Sequence, residues 1–563
     1  MPEWTTACPD WAERLRSGQS IIPPPIFPDE AEANLEVMRE LRIVDAPGSP
    51  RIGEASGQWV FDLAASVFGA YDAQTGRRLI KEWFVMLPKK NFKSGLAASI
   101  MLTCLVRNWR QSAEFTILAP TKEVADNSFG PARDMVNFKD EDDYSELADL
   151  IHVQEHVKTL KHREKTATLK VVATDSSTVA GKKSVGTLVE ELWLFGKQSG
   201  AKEMFREALG GLASRPEGFV IWITTQSDEP PAGIFKEKLQ YARDVRDGKI
   251  HDPQFVPIIY EHPPELVATK QHLKLENMRM VNPNYGYSVD SEFLEREYRK
   301  AEIEGEQSLL GFLAKHGNVE IGMNLRSDRW AGADFWERQA KLPGITLNEL
   351  LARAEVITVG IDGGGLDDLL GLAIVGRERD TGKWLAWTRA WAHPIAMERR
   401  KSEESKYDDF QEQGDLVVIE HLPGDVAAVA AVVKEVDESG LLASIGLDPE
   451  KTHKVMLQAL VDAGIEESKC FGVSQGWKLI GAISVTERKL AEGVLLHGGQ
   501  PLMNWCVSNA KIEPRGNAAL ITKQASGTGK IDPLMALFNA VQLMALNPEP
   551  AQTTSIYDEG VTI

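Results

Sequence analysis

At 563 residues the chain is longer than one hydrophobic core usually organises, so two large domains plus tails are expected. Hydrophobic content of 43% and charged content of 26% are ordinary for a globular chain, no apolar run approaches the ~20 residues of a membrane span, and the start MPEWTTACPDWAERLRSG lacks the basic-then-apolar order of a secretory signal. A formal net charge of −19 excludes indiscriminate coating of nucleic acid, and Cys8, Cys104, Cys470 and Cys506, with no C-x-x-C pair, exclude a zinc ribbon or a disulfide framework and fit a reducing compartment.

Residues 1–55 are rich in Pro and polar residues, with IIPPPIFPDE interrupting any helix, and read as an N-terminal extension. From 56 to about 230 the apolar runs FVML, FTILAP, LKVVA, GTLVE and FVIWITT alternate with amphipathic stretches. That rhythm predicts an α/β domain with a mainly parallel sheet, which a helical, charged stretch extends to about 340. RSDRWAGADFWERQAKLPGITLNEL reads as a connector with short helices. In residues 341–550, VITVGID, LLGLAIVG and KWLAWTRAW predict three adjacent antiparallel strands, followed by a helical region and a further strand, LLASIGLD. This order predicts a ribonuclease H-like fold. Residues 551–563 are polar and read as a flexible tail.

The segment WFVMLPKKNFKSGLAASIMLTCLV runs from a strand through a loop into an apolar helix, the setting for a phosphate-binding loop. Lys93 and Ser94 stand where such a loop needs a lysine for the β- and γ-phosphates and a hydroxyl for Mg²⁺. Both glycines of the pattern are missing, with Leu87 and Phe92 in their places. The later strand GTLVEEL ends in paired acids of Walker B character. Glu190 would hold Mg²⁺ and Glu191 would orient or deprotonate a water, although these acids also suit an exposed helix start. FVIWITTQSD puts Thr224, Thr225 and Gln226 at a strand end, where hydroxyls could sense a γ-phosphate or simply make a turn.

In the second half, Asp362 ends the first strand, Asp448 ends LLASIGLD, and Asp532 opens the helix IDPLMALFNAVQLM. A ribonuclease H-like fold brings these positions together, and a carboxylate cluster without Cys suits a pair of hard divalent ions, Mg²⁺ or Mn²⁺, for phosphodiester hydrolysis. Each residue also has a bland reading: Asp362 in a Gly turn, Asp448 before Pro449, Asp532 as a helix N-cap. Asp368 is a candidate fourth ligand. The helix in QGWKLIGAISVTERKLAEG is expected to pack on the sheet, leaving Lys478, Arg488 and Lys489 for DNA phosphate.

Taken in order, LPKKNFKSG, ILAPTKEVADNSFGPARDMV, GTLVEEL, WITTQSD and VNPNYG resemble the ATPase half of the large terminase subunit of tailed bacteriophages. VGIDGGGLDDLLGLAIV, SIGLDP, VSQGWKLIGAISVTERKL and GKIDPLMALFNAV resemble its nuclease half. The resemblance implies a motor that uses ATP to pack double-stranded DNA into a procapsid and cuts the concatemer, in a host bacterial cytoplasm. It also implies a small-subunit partner and a ring of five on a portal. It assigns Lys93 and Ser94 to the phosphate loop, Glu190 and Glu191 to the Walker B acids, and Thr224–Gln226 to coupling. Gln58 resembles the glutamine that reads adenine, and Lys89 stands where relatives often carry Arg. Lys182, Lys183, Arg133 and Arg215 are candidates for a charge supplied in trans, and His497 and Lys523 resemble recurrent residues of the nuclease. A repair-type helicase–nuclease, and a prophage-derived assembly protein with a weakened ATPase, are the competing readings.

Overall fold

The apolar runs of the first half are apolar on both faces, as a parallel sheet with helices on each side demands. The computed structural model describes residues 4–139, 144–173, 184–198, 200–321, 330–399, 403–449, 453–515, 518–521 and 530–550. The chain divides into two units, Met1–Ile321 and Gly322–Ile563. No helix among the described residues is long and apolar enough to cross a membrane.

In the first unit, helices α1 (Trp11–Ser17), α2 (Pro28–Glu40) and α3 (Gln58–Phe68) precede the main sheet. Its strands are β1 (Glu82–Met86), β2 (Glu114–Ala119), β3 (Ile151–Gln154), β4 (Thr159–His162), β5 (Thr168–Ala173), β6 (Ser184–Glu190), β7 (Phe219–Thr224) and β8 (Phe255–Ile259). They lie in the order β8-β1-β7-β6-β2-β5-β4-β3, parallel from β8 to β5 and antiparallel at the β4 and β3 edge. β8 is not legible as a strand because Pro257 interrupts it, but β8 lies at an edge, where a residue without an N–H is tolerated. The helices α4 (Lys93–Arg107), α5 (Lys122–Asn137) and α6 (Glu306–Gly317) complete the elements that carry the site.

Residues 11–55 are built into this unit: Trp11, Leu15, Leu35, Met38, Leu41 and Ile52 are buried in the same core as β1, β2 and α4. The proline run starts α2 instead of preventing it, since Pro28 occupies a first-turn position where the missing N–H has no partner to lose.

The second unit contains β9 (Ala354–Gly363), β10 (Leu370–Glu378), β11 (Trp384–Ala392), β12 (Leu416–Val418), β13 (Leu442–Leu447), β14 (Cys470–Gly472) and β15 (Leu495–His497). The order is β12-β11-β10-β9-β13-β14, with β15 also pairing with β11. The β9–β10–β11 meander is antiparallel, as the sequence predicts, and β13 joins β9 in parallel. One face packs against α7 (Gly424–Glu438) through Val426, Val429, Val433 and Val436. The connector residues Trp330 and Trp336 are fully buried in the core on the other face.

Helix α8 (Ile480–Ala491) packs chiefly on α9 (Asp532–Met544), not on the sheet as expected, because α9 already covers β9 and β10. The helix α9 lies so close that a Cβ added to Gly360 of β9 would stand 2.0 Å from the Ala536 carbonyl oxygen. Only glycine permits this backbone-on-backbone contact. It is reinforced by Thr358 Oγ1 donating to the Ala540 carbonyl (2.9 Å) and Asn539 Nδ2 donating to the Ile361 carbonyl (3.0 Å).

Candidate active sites

In the first unit, β1 ends at Met86 and the loop to α4 turns at the carboxyl edge of the parallel sheet, next to the ends of β6 and β7. Phe92 occupies the N-cap position of α4 at φ 55°, a left-handed conformation that glycine adopts without cost. The bulk of its ring is accommodated one turn on, where a Cβ at Gly95 would meet the ring at 2.2 Å. A glycine three residues along makes room for the one that is missing. No side chain caps α4, so its first N–H groups are available to an anion.

The rest of the loop is held by amides. Fully buried Asn91 donates to Asn282 Oδ1 (2.7 Å) and to the Pro88 carbonyl (3.2 Å), and accepts from the Asn284 backbone N–H (3.0 Å). Sequence reasoning did not single out Asn91, Asn282 or Asn284. The only trace was VNPNYG, whose partner lies far away in the chain.

Lys93 Nζ donates to the carbonyls of Leu87 (3.4 Å) and Pro88 (3.3 Å), and burial holds its ammonium below the ordinary lysine value. Ser94 Oγ (3.3 Å) and Ser128 Oγ (2.8 Å) both donate to Glu190 Oε1. Glu190 Oε2 is buried without a partner, and burial pushes the carboxyl up to about 8. An orphaned buried carboxylate oxygen beside the Ser94 hydroxyl is the donor set a Mg²⁺ ion takes, so the residues present fit the metal. Glu191, at φ 50°, accepts from Trp193 Nε1 (2.7 Å) and Thr225 Oγ1 (3.3 Å). A cleft of about 700 Å³ opens here, lined among others by Arg42–Ala46, Lys89, Lys93, Ser94 and Glu191.

Gln58 is exposed, bonded through Nε2 to Asp62 Oδ1 at 2.9 Å, and does not line the cleft. The wall there is Arg42–Ala46, from the segment expected to precede the domain. Arg133 is engaged by Asp134 (2.8 Å) and Glu155 (3.6 Å). Arg215 precedes β7 and so stands a strand's length from Thr225. Lys182 and Lys183 lie outside the described residues.

The Glu190 shift has a measurable consequence. The folded chain holds this proton more tightly than the unfolded one, whose value is near 4.5, so its contribution to stability is full below about pH 4.5 and lost as pH rises through about 8. Glu190→Gln, nucleotide- and metal-free, is expected to melt several degrees above the parent at pH 8.5 and close to it at pH 5. An equal difference at both pH values in a thermal melt would remove the buried-carboxylate explanation.

In the second unit, Asp362 lies at the end of β9 and Asp448 directly follows β13, where Ile361 and Leu447 are register partners. Both acids are therefore at the carboxyl edge of neighbouring parallel strands. Asp532 is the first residue of α9, but Ile531 occupies the cap, so the capping role is not its own. It lies beside Gly363 (φ 92°), where an added Cβ would be 2.9 Å from Asp532 Oδ1, and over Gly371, the register partner of Asp362. Asp362 (3% exposed) and Asp532 (0%) are thus buried neighbours, while Asp448 is half-buried. Among the described residues no three His, Cys, Asp or Glu side chains stand close enough to hold a metal ion as placed. The expected cluster is a buried pair, with Asp448 just past the end of the neighbouring strand. Two buried carboxylates at a sheet edge fit a hard divalent ion.

Asp368 forms an ion pair with buried Lys530, a residue not anticipated from the sequence. His497 is structural: its ring stacks on Trp336 at 3.7 Å, Nε2 donates to the Trp336 carbonyl (2.9 Å), Nδ1 accepts from Gly499 N–H (3.0 Å), and burial pushes its pKa down to about 4. Arg488 pairs with Glu492 at 2.7 Å, Lys489 with the same carboxylate at 3.7 Å, and Lys478 lies 5.6 Å from the exposed Trp477 ring. Lys523 lies outside the described residues.

These units define an α/β protein in which a P-loop ATPase-type domain with a mainly parallel sheet precedes a ribonuclease H-like nuclease domain. The family model "Terminase large subunit, endonuclease domain" matches residues 265–547, half of the chain. The chain belongs to the terminase large subunit family. It is 23% identical over 512 residues to the large terminase subunit of Enterobacteria phage HK97, covering 88% of this chain and 92% of that one. The crystal structure of the HK97 large terminase aligns with a TM-score of 0.47 at 20% identity, over 91% of this chain and 99% of that one. A large terminase from a thermophilic bacteriophage, solved in complex with ADP, aligns with a TM-score of 0.29 at 12% identity, over 83% of this chain and 94% of that one.

Proposed function

We propose that the first unit hydrolyses ATP to drive double-stranded DNA into a procapsid, and that the second cuts the concatemer with divalent metal ions. The observation that carries this reading is the convergence of Lys93, Ser94 and Glu191 on one cleft at the carboxyl edge of a parallel sheet, with Glu190 buried behind Ser94 and bonded to it. Lys93, now parked on two carbonyls, would reach the β- and γ-phosphates. Ser94 and Glu190 would hold Mg²⁺, which when bound neutralises phosphate charge. Glu191 would orient the attacking water and take its proton, and Thr225, bonded to the same carboxylate, would sense the loss of the γ-phosphate. Lys89, on the cleft wall, supplies further positive charge. In the second unit Asp362, Asp448 and Asp532 would hold Mg²⁺ or Mn²⁺, which supplies Lewis-acid activation of water and leaving oxygen. The setting is the host bacterial cytoplasm, with a small terminase subunit and a portal as partners and a ring of five on the portal.

The test uses the purified full chain. ATP turnover is expected to rise with added double-stranded DNA, and plasmid cleavage to require Mg²⁺ or Mn²⁺ and vanish with chelator. Absence of turnover with and without DNA would refute the first half, and cleavage that persists without metal the second.

A further inference from the structure

The acid Glu191 is held by a set of contacts that neither the phosphate loop nor the paired-acid pattern accounts for. Trp193, two residues on in the short helix Leu192–Phe195, donates its indole N–H to Glu191 Oε2 at 2.7 Å and its backbone N–H to Thr224 Oγ1 at 3.1 Å. The Thr225 hydroxyl donates to the same Oε2. Both bonds fall on Oε2 and hold that oxygen in place, which leaves Oε1 to take the proton in the reading above. Lys315 of α6 lies on the indole, with Nζ 3.2 Å from the ring centroid. A cation on the π-face attracts ring electron density and makes the indole N–H a stronger donor. Lys315 also donates through Nζ to the Gln226 carbonyl (3.1 Å), and its own carbonyl accepts from the Lys89 N–H (2.6 Å). Gln226 N–H in turn donates to Asn318 Oδ1 at 3.0 Å.

We infer that Trp193, backed by Lys315, is a positioning residue that sets the Glu191 carboxylate for the attacking water and ties it to the phosphate loop and the Thr225–Gln226 strand end. The inference rests on the reading of Glu191 as the group that activates water. Trp193 itself touches no reacting atom. Its effect passes through Glu191, so removing the N–H should slow chemistry without weakening nucleotide binding, which belongs to Lys93, Ser94 and the cleft wall.

Steady-state ATP hydrolysis, fluorescent-nucleotide affinity and melting temperature would be measured on the full chain for the parent, Trp193→Phe, Lys315→Met and Glu191→Gln. Trp193→Phe, which keeps an aromatic face and deletes the donor, is expected to lower kcat at least about tenfold with KM and nucleotide affinity within about twofold and an unchanged melt. Lys315→Met is expected to lower kcat in the same way by a smaller factor. Parental kcat in Trp193→Phe overturns the proposal, as does a kcat loss matched by equal losses of affinity and melting temperature, which would make Trp193 merely structural. Should Trp193→Phe melt early, Lys315→Met decides, and parental turnover there overturns the proposal. Glu191→Gln separates the two layers: parental turnover in that variant sinks the water-activating role and the inference with it. A dead Glu191→Gln beside a parental Trp193→Phe sinks the inference alone.

Discussion

Lys93→Ala is expected to reduce ATP turnover at least about 100-fold while leaving metal-dependent DNA cleavage near the parental rate. A preorganised charge aimed at the transferring phosphoryl group is worth a factor of this order in kcat, and Lys93 is the buried ammonium at the start of α4 with Glu190 and Glu191 around it. Its present partners are two backbone carbonyls, which cost little to leave because solvent or the phosphate replaces them. The fold should survive, since Lys93 lines the cleft and is not part of the hydrophobic core. Phosphate-release kinetics and plasmid cleavage on the same preparation check both halves. Turnover within about threefold of the parent would move the phosphate site away from this loop.

Asp362→Asn and Asp532→Asn should each lower DNA cleavage at least about 100-fold with ATP turnover intact. Each change is nearly isosteric and removes one negative charge from the proposed divalent-ion site, so metal occupancy or geometry is expected to fail before the fold does. Asp532 is the stricter of the two: it is fully buried at the start of α9, which lies against β9, and only a glycine at 363 leaves its carboxylate space. Asp448→Asn is the discriminating variant, because Asp448 is half-buried and stands at the end of the neighbouring strand, outside the buried pair. Loss of cleavage there completes the three-carboxylate site. Parental cleavage in Asp448→Asn assigns the third ligand elsewhere, and parental cleavage in all three variants removes the site from this edge of the sheet.

What was legible in the sequence is what local pattern encodes. Lys93, Ser94, Glu190 and Glu191 could be placed because apolar strands followed by loop and helix starts have a recognisable order, and parallel pairing then brings their carboxyl ends together. The β9–β10–β11 meander and β13 were legible for the same reason. What failed to show is long-range and polar. Nothing periodic announces that Asn91 bonds to Asn282 and Asn284, or that Lys315 lies on Trp193. Glycines beneath α9 were visible as residues but not as a floor, since their meaning depends on a helix almost two hundred residues away in the chain. Gln58 carried a thin motif and turned out to bond to its own helix, whereas Arg42–Ala46, with no motif at all, borders the cleft.

That last placement has a practical consequence for dissecting the protein. A fragment begun at residue 56, where the motif-bearing pattern starts, would delete one wall of the cleft beside Lys93 and strip the partners from the buried faces of α3 and α4. Such a fragment would expose apolar surface to water and to its own copies. Its inactivity would then describe where the chain was cut and would say nothing about the chemistry of the loop.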